Sequence, residues 1–286
     1  MATTTFNIVD TQGLVQDFWS PFLDKQLRQA NLWTGLFQDP NYTVSSTAGG
    51  DTHKITRVNK SSSTIKTIGT DADSFTSNVL STTQLELAIT KRCVSSYKFQ
   101  DLAVVMSQLE DADSEIRSSL LADVMEQANT WIKTLVSPST SSPDHVITSV
   151  TDFNLAQLSA ITLLANQAKW KSSGQPYLLL ADPVYYQDMI DDTTLSSASA
   201  LGIGKSPIID GFFELKRMGW NIAMDDSLST DTAYGMLANA LKVIIGEPRF
   251  LISDLHANEQ FGYIMSVDFV LGGLQMDSER TITIED

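Results

Sequence analysis

Cysteine is nearly absent from this chain. Cys93 stands alone among 286 residues, so no disulfide can form within the chain. It sits in a strand-like run, where a lone thiol reads as a small buried hydrophobe. Cations are also scarce: 19 Lys and Arg face 34 Asp and Glu, for a formal charge of −15. That balance excludes nonspecific wrapping of nucleic acid, which needs clustered Lys and Arg. It does not exclude a place beside DNA, because repulsion keeps the two from adhering. No apolar run approaches the ~18–20 residues of a membrane-spanning helix. Met1 to Asp10 lacks the basic start and apolar middle of a secretion signal. The expectation is a soluble protein made in a cytoplasm.

Recognisable reaction chemistry is missing too. Gly204-Lys205-Ser206 has the tail of a phosphate-binding loop, but Ser199 stands where the first glycine belongs and Pro207 follows where a helix should continue. His53, His145 and His256 lie far apart, without the short spacing of a structural zinc site. No Gly-x-Ser-x-Gly elbow occurs, although a serine triad needs only spatial proximity. The acid pairs Asp191-Asp192 and Asp225-Asp226 read as solvated turn residues. The expectation is no catalytic residue, no metal site and no cofactor. A structural protein fits this better than an enzyme does.

A 42% hydrophobic content is enough for a packed core. Its organising stretch is Lys91 to Pro138. From Asp111 onward, Ile116, Leu120, Val124, Ala128, Trp131 and Leu135 fall on one helical face, widened by Leu121, Met125 and Ile132. The spacing predicts one long helix over 111–136, roughly 35–40 Å in length. Asp111, Asp113 and Glu115 crowd its first turn, where carboxylates suit the positive end of the helix dipole, and Ser137-Pro138 stops it.

Upstream, Met1 to Pro40 is rich in aromatics, with Phe18, Trp19, Phe22, Trp33, Leu36 and Phe37 all needing cover. That cover is either the subunit's own core or a neighbour. The region 41–80 is polar, with alternating strands at 53–58 and 64–68 that fit a hairpin. From Thr52 to Gly69 it carries Lys54, Arg57, Lys60 and Lys66 and no carboxylate. It reads either as a solvated hairpin or as an arm that docks on an acidic neighbour. A strand with Leu85, Leu87 and Ile89 on one side leads into the long helix.

Downstream, Ser139 to Val150 is a linker. Asn154 caps a helix that turns Leu155, Leu158, Ile161, Thr162 and Ala165 inward. Tyr177 to Ala181 is a short apolar strand, and Asp182-Pro183 opens a helix as cap and first residue. Strands follow at 221–224, as a pair at 233–238 and 242–245, at 263–271, and at 281–284.

This order of parts, with Asp182-Pro183-x-Tyr185 and Met218-Gly219-Trp220-Asn221-Ile222 in place, resembles the major capsid proteins of tailed double-stranded DNA bacteriophages. The resemblance covers nearly the whole chain and rests on segment order rather than an invariant motif. It implies an α+β, Hong Kong 97-type fold. By segment, 1–40 corresponds to the N-arm and 41–84 to the E-loop. Residues 85–150 correspond to the P-domain with its spine helix, 151–241 to the A-domain, and 242–286 to a return to the P-domain.

The resemblance also implies hexamers and pentamers closing into an icosahedral shell around the packaged genome, without sequence-specific DNA contact. Implied partners are a portal protein, a separate scaffolding protein, since no long N-terminal scaffolding region precedes the arm, and in some shells a decoration or cement protein. Some relatives crosslink covalently through Lys and Asn beside a Glu. Lys60 or Lys66 with Asn258 and Glu259 are the residues of those types here, and no motif fixes them. Phe18, Trp19, Trp33, Lys54, Arg57, Lys60 and Lys66 are the expected inter-subunit contacts. The implied location is the virion. Encapsulin shells share the fold, but the Thr-rich start and aromatic arm suit a phage coat better. A soluble hydrolase with an unrecognised site is the remaining alternative.

Overall fold

The computed structural model describes residues 32–39, 52–59, 65, 79–99, 112–196, 214–254 and 263–286. In chain order its elements are α1 (Leu32–Phe37), β1 (Thr52–Val58), β2 (Thr82–Phe99), α2 (Ala112–Lys133), β3 (Val146–Ile147) and α3 (Leu155–Gln167). A 3-10 turn at Trp170–Ser173 precedes β4 (Tyr177–Ala181), α4 (Pro183–Asp191) and α5 (Thr193–Ser196). Then come β5 (Glu214–Arg217), β6 (Trp220–Met224), β7 (Thr232–Leu237), β8 (Leu241–Ile245), β9 (Arg249–Asp254), β10 (Tyr263–Gln275) and β11 (Thr281–Glu285). The chain divides into two compact units, and β2, α2 and β10 each contribute residues to both.

The larger unit holds two sheets. One is mixed and six-stranded, in the order β3-β11-β7-β4-β6-β5. Its centre is β4, which pairs in parallel with β6 and antiparallel with β7. A strand flanked on both sides must be apolar throughout, and Leu179, Leu180 and Ala181 are buried. Two capped helices serve this sheet. Asn154 Oδ1 accepts from the Ala156 amide to start α3. Asp182 accepts from the amides of Val184 and Tyr185 to start α4, with Pro183 in the first turn. Leu158, Ile161 and Ala165 of α3 face inward, as expected. Leu155 does not. It is exposed at the helix start, where its amide is held by Asp192 Oδ2.

The second sheet of this unit runs β1-β2-β10-β8. Leu87, Ile89, Ile244 and Val270 form its buried cluster, which Leu274 covers. The strand at 52–58 pairs antiparallel with 82–88, from Thr52↔Ala88 to Val58↔Thr82. The expected hairpin between 53–58 and 64–68 falls on residues outside the described set, since 64 and 66–68 are not described. Two sequence expectations change here. β7 and β8 follow one another yet belong to different sheets, β8 pairing with β10 at 271–275. β10 runs straight through Gly272-Gly273 to Gln275.

Those two glycines explain how a strand passes there. A Cβ on Gly272 would stand 2.9 Å from the Ala88 carbonyl oxygen, and one on Gly273 would stand 2.5 Å from Leu135 Cδ1 and 3.1 Å from the Trp131 ring. The helix therefore lays its aromatic face on bare strand backbone.

α2 is one unbroken helix of 22 residues, about 33 Å long at 1.5 Å per residue. Position 111 and the side chains of 112–115, which carry the acidic first turn, lie outside the described set. Its fully buried line is Leu120, Val124, Ala128 and Ile132, a strict i, i+4 series. Ile132, not Trp131, is the deep residue of the last turn, and Trp131 is half-buried over Gly273. The helix closes at Lys133 with three tighter i→i−3 bonds, from Thr134, Leu135 and Val136.

In the smaller unit, β9 pairs with β10. Tyr97 Oη and Ser95 Oγ each donate to Asp123 Oδ2 at 3.3 Å, fixing strand to helix. The Arg117 guanidinium lies 5.6 Å from the centre of the Phe250 ring.

Candidate assembly surface

Of the seven expected contact residues, four, Phe18, Trp19, Lys60 and Lys66, lie outside the described residues. Of the other three, Trp33 is a correction. It is completely buried in the subunit's own core. Its amide donates to Asn129 Oδ1 at 2.9 Å, its indole nitrogen to Asp225 Oδ2 at 2.5 Å, and its ring packs on Phe37 and Tyr234. An indole with every side covered has nothing left to offer a neighbour.

Lys54 and Arg57 point from β1 and differ in how they are held. Lys54 Nζ stands 3.6 Å from Glu86 Oε1, with both side chains 60% exposed, an arrangement that contributes little. Arg57 Nη1 stands 2.9 Å from Asp277 Oδ2, which is only 21% exposed. Arg57 also borders a cavity of about 390 Å³, together with Lys169, Trp170, Ser172, Asp277 and Arg280.

Past Arg57 the strand pair ends in a polar clasp. The Asn59 amide donates to the Ser81 carbonyl at 2.9 Å, Asn59 Nδ2 to Ser81 Oγ at 3.0 Å, and Thr83 Oγ1 to Asn59 Oδ1 at 3.0 Å. Val58, Val79 and Leu80 sit beside this clasp, all well exposed. Nothing in the hydropathy of 59–83 marks Asn59, Ser81 and Thr83 as the closing residues; the register does.

Asp225 is fully buried, contrary to its reading as a solvated turn residue. Besides Trp33 it accepts from the amide and hydroxyl of Ser227. Asp226 beside it is exposed. Asp192 accepts from the amides of Leu155 and Thr194, and these bonds, led by the Thr194 hydroxyl, hold its carboxyl below the usual range.

Asp182, also fully buried, spans α4 and the turn before β7 by accepting from the Asp231 amide at 3.0 Å. Tyr185 Oη donates to the Val150 carbonyl. Burial, then the carboxylates of Asp231, Asp286, Asp182 and Asp188, push the Tyr185 phenol upward. Burial, then Asp182, Asp286 and Asp188, push Asp231 upward as well. Burial alone raises the Cys93 thiol, in keeping with a buried, inert cysteine. Among the described residues no group of three His, Cys, Asp or Glu is placed to hold a metal ion. No described helix is long and apolar enough to cross a membrane.

No protein-family model and no curated relative matches the sequence. Solved structures do match, over almost the whole chain. A chain of the cyanophage Pam1 capsid superposes with a TM-score of 0.68 at 11% identity, covering 100% of this chain and 99% of that one. A chain of the cyanophage P-SCSP1u capsid gives 0.67 at 15%, covering 96% and 93%. One from the capsid of Ralstonia phage GP4 gives 0.66 at 12%, covering 99% and 98%. The mixed helix-and-sheet fold described above is the fold of phage capsid chains. At these identities the likeness is one of backbone architecture.

Proposed function

We propose that this chain is the major capsid protein of a tailed double-stranded DNA phage, a non-enzymatic subunit that assembles into the icosahedral shell. The observation that carries this reading is end-to-end coverage: the matching capsid chains are neither much longer nor much shorter than this one. The segment order supports a Hong Kong 97-type layout. In it, α2 is the spine helix of a P-domain, the region around β1 and the start of β2 is the E-loop with its root, and the six-stranded sheet belongs to an A-domain. The copies form hexamers and pentamers around packaged DNA, with which a chain of charge −15 makes no specific contact. A separate scaffolding protein, a portal and, where present, a decoration protein complete the partner set. The protein is made in the host cytoplasm and ends in the virion.

Exposed Lys54, and the cations at 60 and 66, are the side chains we assign to contacts between subunits. The experiment is electron microscopy of purified protein, with high salt or a crowding polymer added to reinforce weak contacts. Hollow icosahedral shells are the expected picture. Small monodisperse particles under every condition would overturn the reading, and shells filled with protein cargo would move it to an encapsulin.

A further inference from the structure

β5 and β6 form a hairpin whose last register pair is Arg217↔Trp220, leaving Met218 and Gly219 as a two-residue turn. Both have positive φ, 47° for Met218 and 90° for Gly219, as a type I′ turn requires. Glycine takes that conformation freely. At the first position Asn, Asp or Gly is favoured, because a short polar or absent side chain relieves the clash between Cβ and the carbonyl oxygen. A long apolar side chain gains nothing there from the backbone.

Nor is Met218 a core residue, since its side chain is half exposed. Among the described residues the other non-glycine positions with positive φ are Ser149, Lys169 and Asp231, all polar. Of this described set Met218 is the apolar one, and it is presented to solvent.

It is presented from a rigid base. Trp220, next but one, is fully buried, its indole nitrogen donating to Thr162 Oγ1 at 3.0 Å. Its ring centre lies 5.3 Å from that of Tyr177 and 5.8 Å from that of Trp170. A strained residue that the surrounding structure holds in place points to function outside the subunit. A preorganised apolar side chain is the form an interface anchor takes, because little ordering remains to be done on contact.

We propose that Met218 is an anchor that seats in an apolar recess of a second copy of this chain. The inference rests on the reading of the protein as a self-assembling shell subunit, in which every exposed position repeats around the particle. The thioether suits such a seat, being polarizable and adaptable in shape.

Met218→Asn and Met218→Gly test this by separating folding from assembly. Both variants should melt a few degrees higher than the parent as unassembled subunits, since each relieves the turn. Both should lower the initial assembly rate by about tenfold or more. Unchanged assembly would overturn the inference, as would a lower melting temperature, which would show Met218 serving its own fold. Replacement of Met218 by p-benzoylphenylalanine supplies a second measurement, with irradiation expected to give covalent dimers of this chain. If the parent protein forms no shells, the reading as a shell subunit fails by itself. The crosslink still decides the inference: a dimer keeps it, and no dimer ends it.

Discussion

The indole nitrogen of Trp33 donates to Asp225 across 192 positions of sequence, and both side chains are shut away from solvent. The pair ties α1 into the larger unit and makes part of an apparent arm into core. Trp33→Ala should cost about 3–5 kcal/mol. Trp33→Phe should cost about 1–3 kcal/mol, because it keeps most of the ring and removes a donor from a buried carboxylate. Urea midpoints followed by circular dichroism give both values. The same geometry separates two truncations. Loss of 1–16 should leave a folded subunit that assembles poorly, whereas loss of 1–39 removes Trp33 and Phe37 and should prevent folding.

Gly272 and Gly273 should respond unequally to alanine. At Gly272 the new methyl meets strand backbone, the Ala88 oxygen at 2.9 Å and Ile89 Cα at 3.0 Å, and neither can move alone. At Gly273 it meets the end of the Leu135 side chain, which can rotate away, and at 3.1 Å the half-buried Trp131 ring, which need shift only slightly. Gly272→Ala should therefore cost about 1–3 kcal/mol and Gly273→Ala clearly less. Thermal melts of the two variants check the order, and the reverse order would contradict the packing described.

Asp231 and Asp192 should give opposite pH signatures. The Asp231 carboxyl is raised on folding, so its ionisation opposes the native state, and that stability is lost as pH rises from the ordinary value of 3.8 through the folded one. Asp231→Asn keeps a side chain that tolerates positive φ and should stabilise the protein at pH 7, with the gain fading below pH 3.8. The Asp192 carboxyl is lowered, so its contribution is present above 3.8 and disappears as pH falls through the folded value. Asp192→Asn keeps an oxygen acceptor and removes only the charge, so it should destabilise the protein at pH 7 and cost nothing in strong acid. Denaturant midpoints at pH 3 and pH 7 distinguish the two.

Charge reversal on β1 should separate a fold contact from an assembly contact. Arg57→Glu breaks the pair with Asp277 and sets two acids together, so the subunit's melting temperature should drop. Lys54 has only a loose exposed partner, so Lys54→Glu should leave the melting temperature unchanged while making assembly more sensitive to ionic strength. Equal melting temperatures for the two variants would show that the Arg57 pair contributes nothing.

Much of the fold was legible in local pattern. Period-two burial at Leu87, Ile89 and Cys93, the four-residue step from Leu120 to Ile132, and the caps at Asn154 and Asp182 are all written within a few neighbours. What failed to show depends on distant residues. Asp225 reads as a turn acid because its main donor, Trp33, lies at the other end of the chain. Ile132 and Trp131 are adjacent on a helix, and only bare glycine backbone opposite decides which stays shallow. The pairing of β1 with 82–88 did not show in the sequence, because alternation marks a strand but carries no address. Of the candidate assembly surface, the cationic run was visible and its pairing within the subunit was not.

The order of strands in the six-stranded sheet sets a schedule for synthesis. β11 lies between β3 and β7, in register with β7 from Thr281↔Met236 to Glu285↔Thr232. On the ribosome, β4, β6 and β7 emerge with one edge of β7 bare. That edge stays open until residue 285 has cleared the exit tunnel, and an open edge is where chains pair wrongly. A nascent subunit therefore completes this sheet only as its last strand arrives, so interrupted translation leaves products that cannot close it.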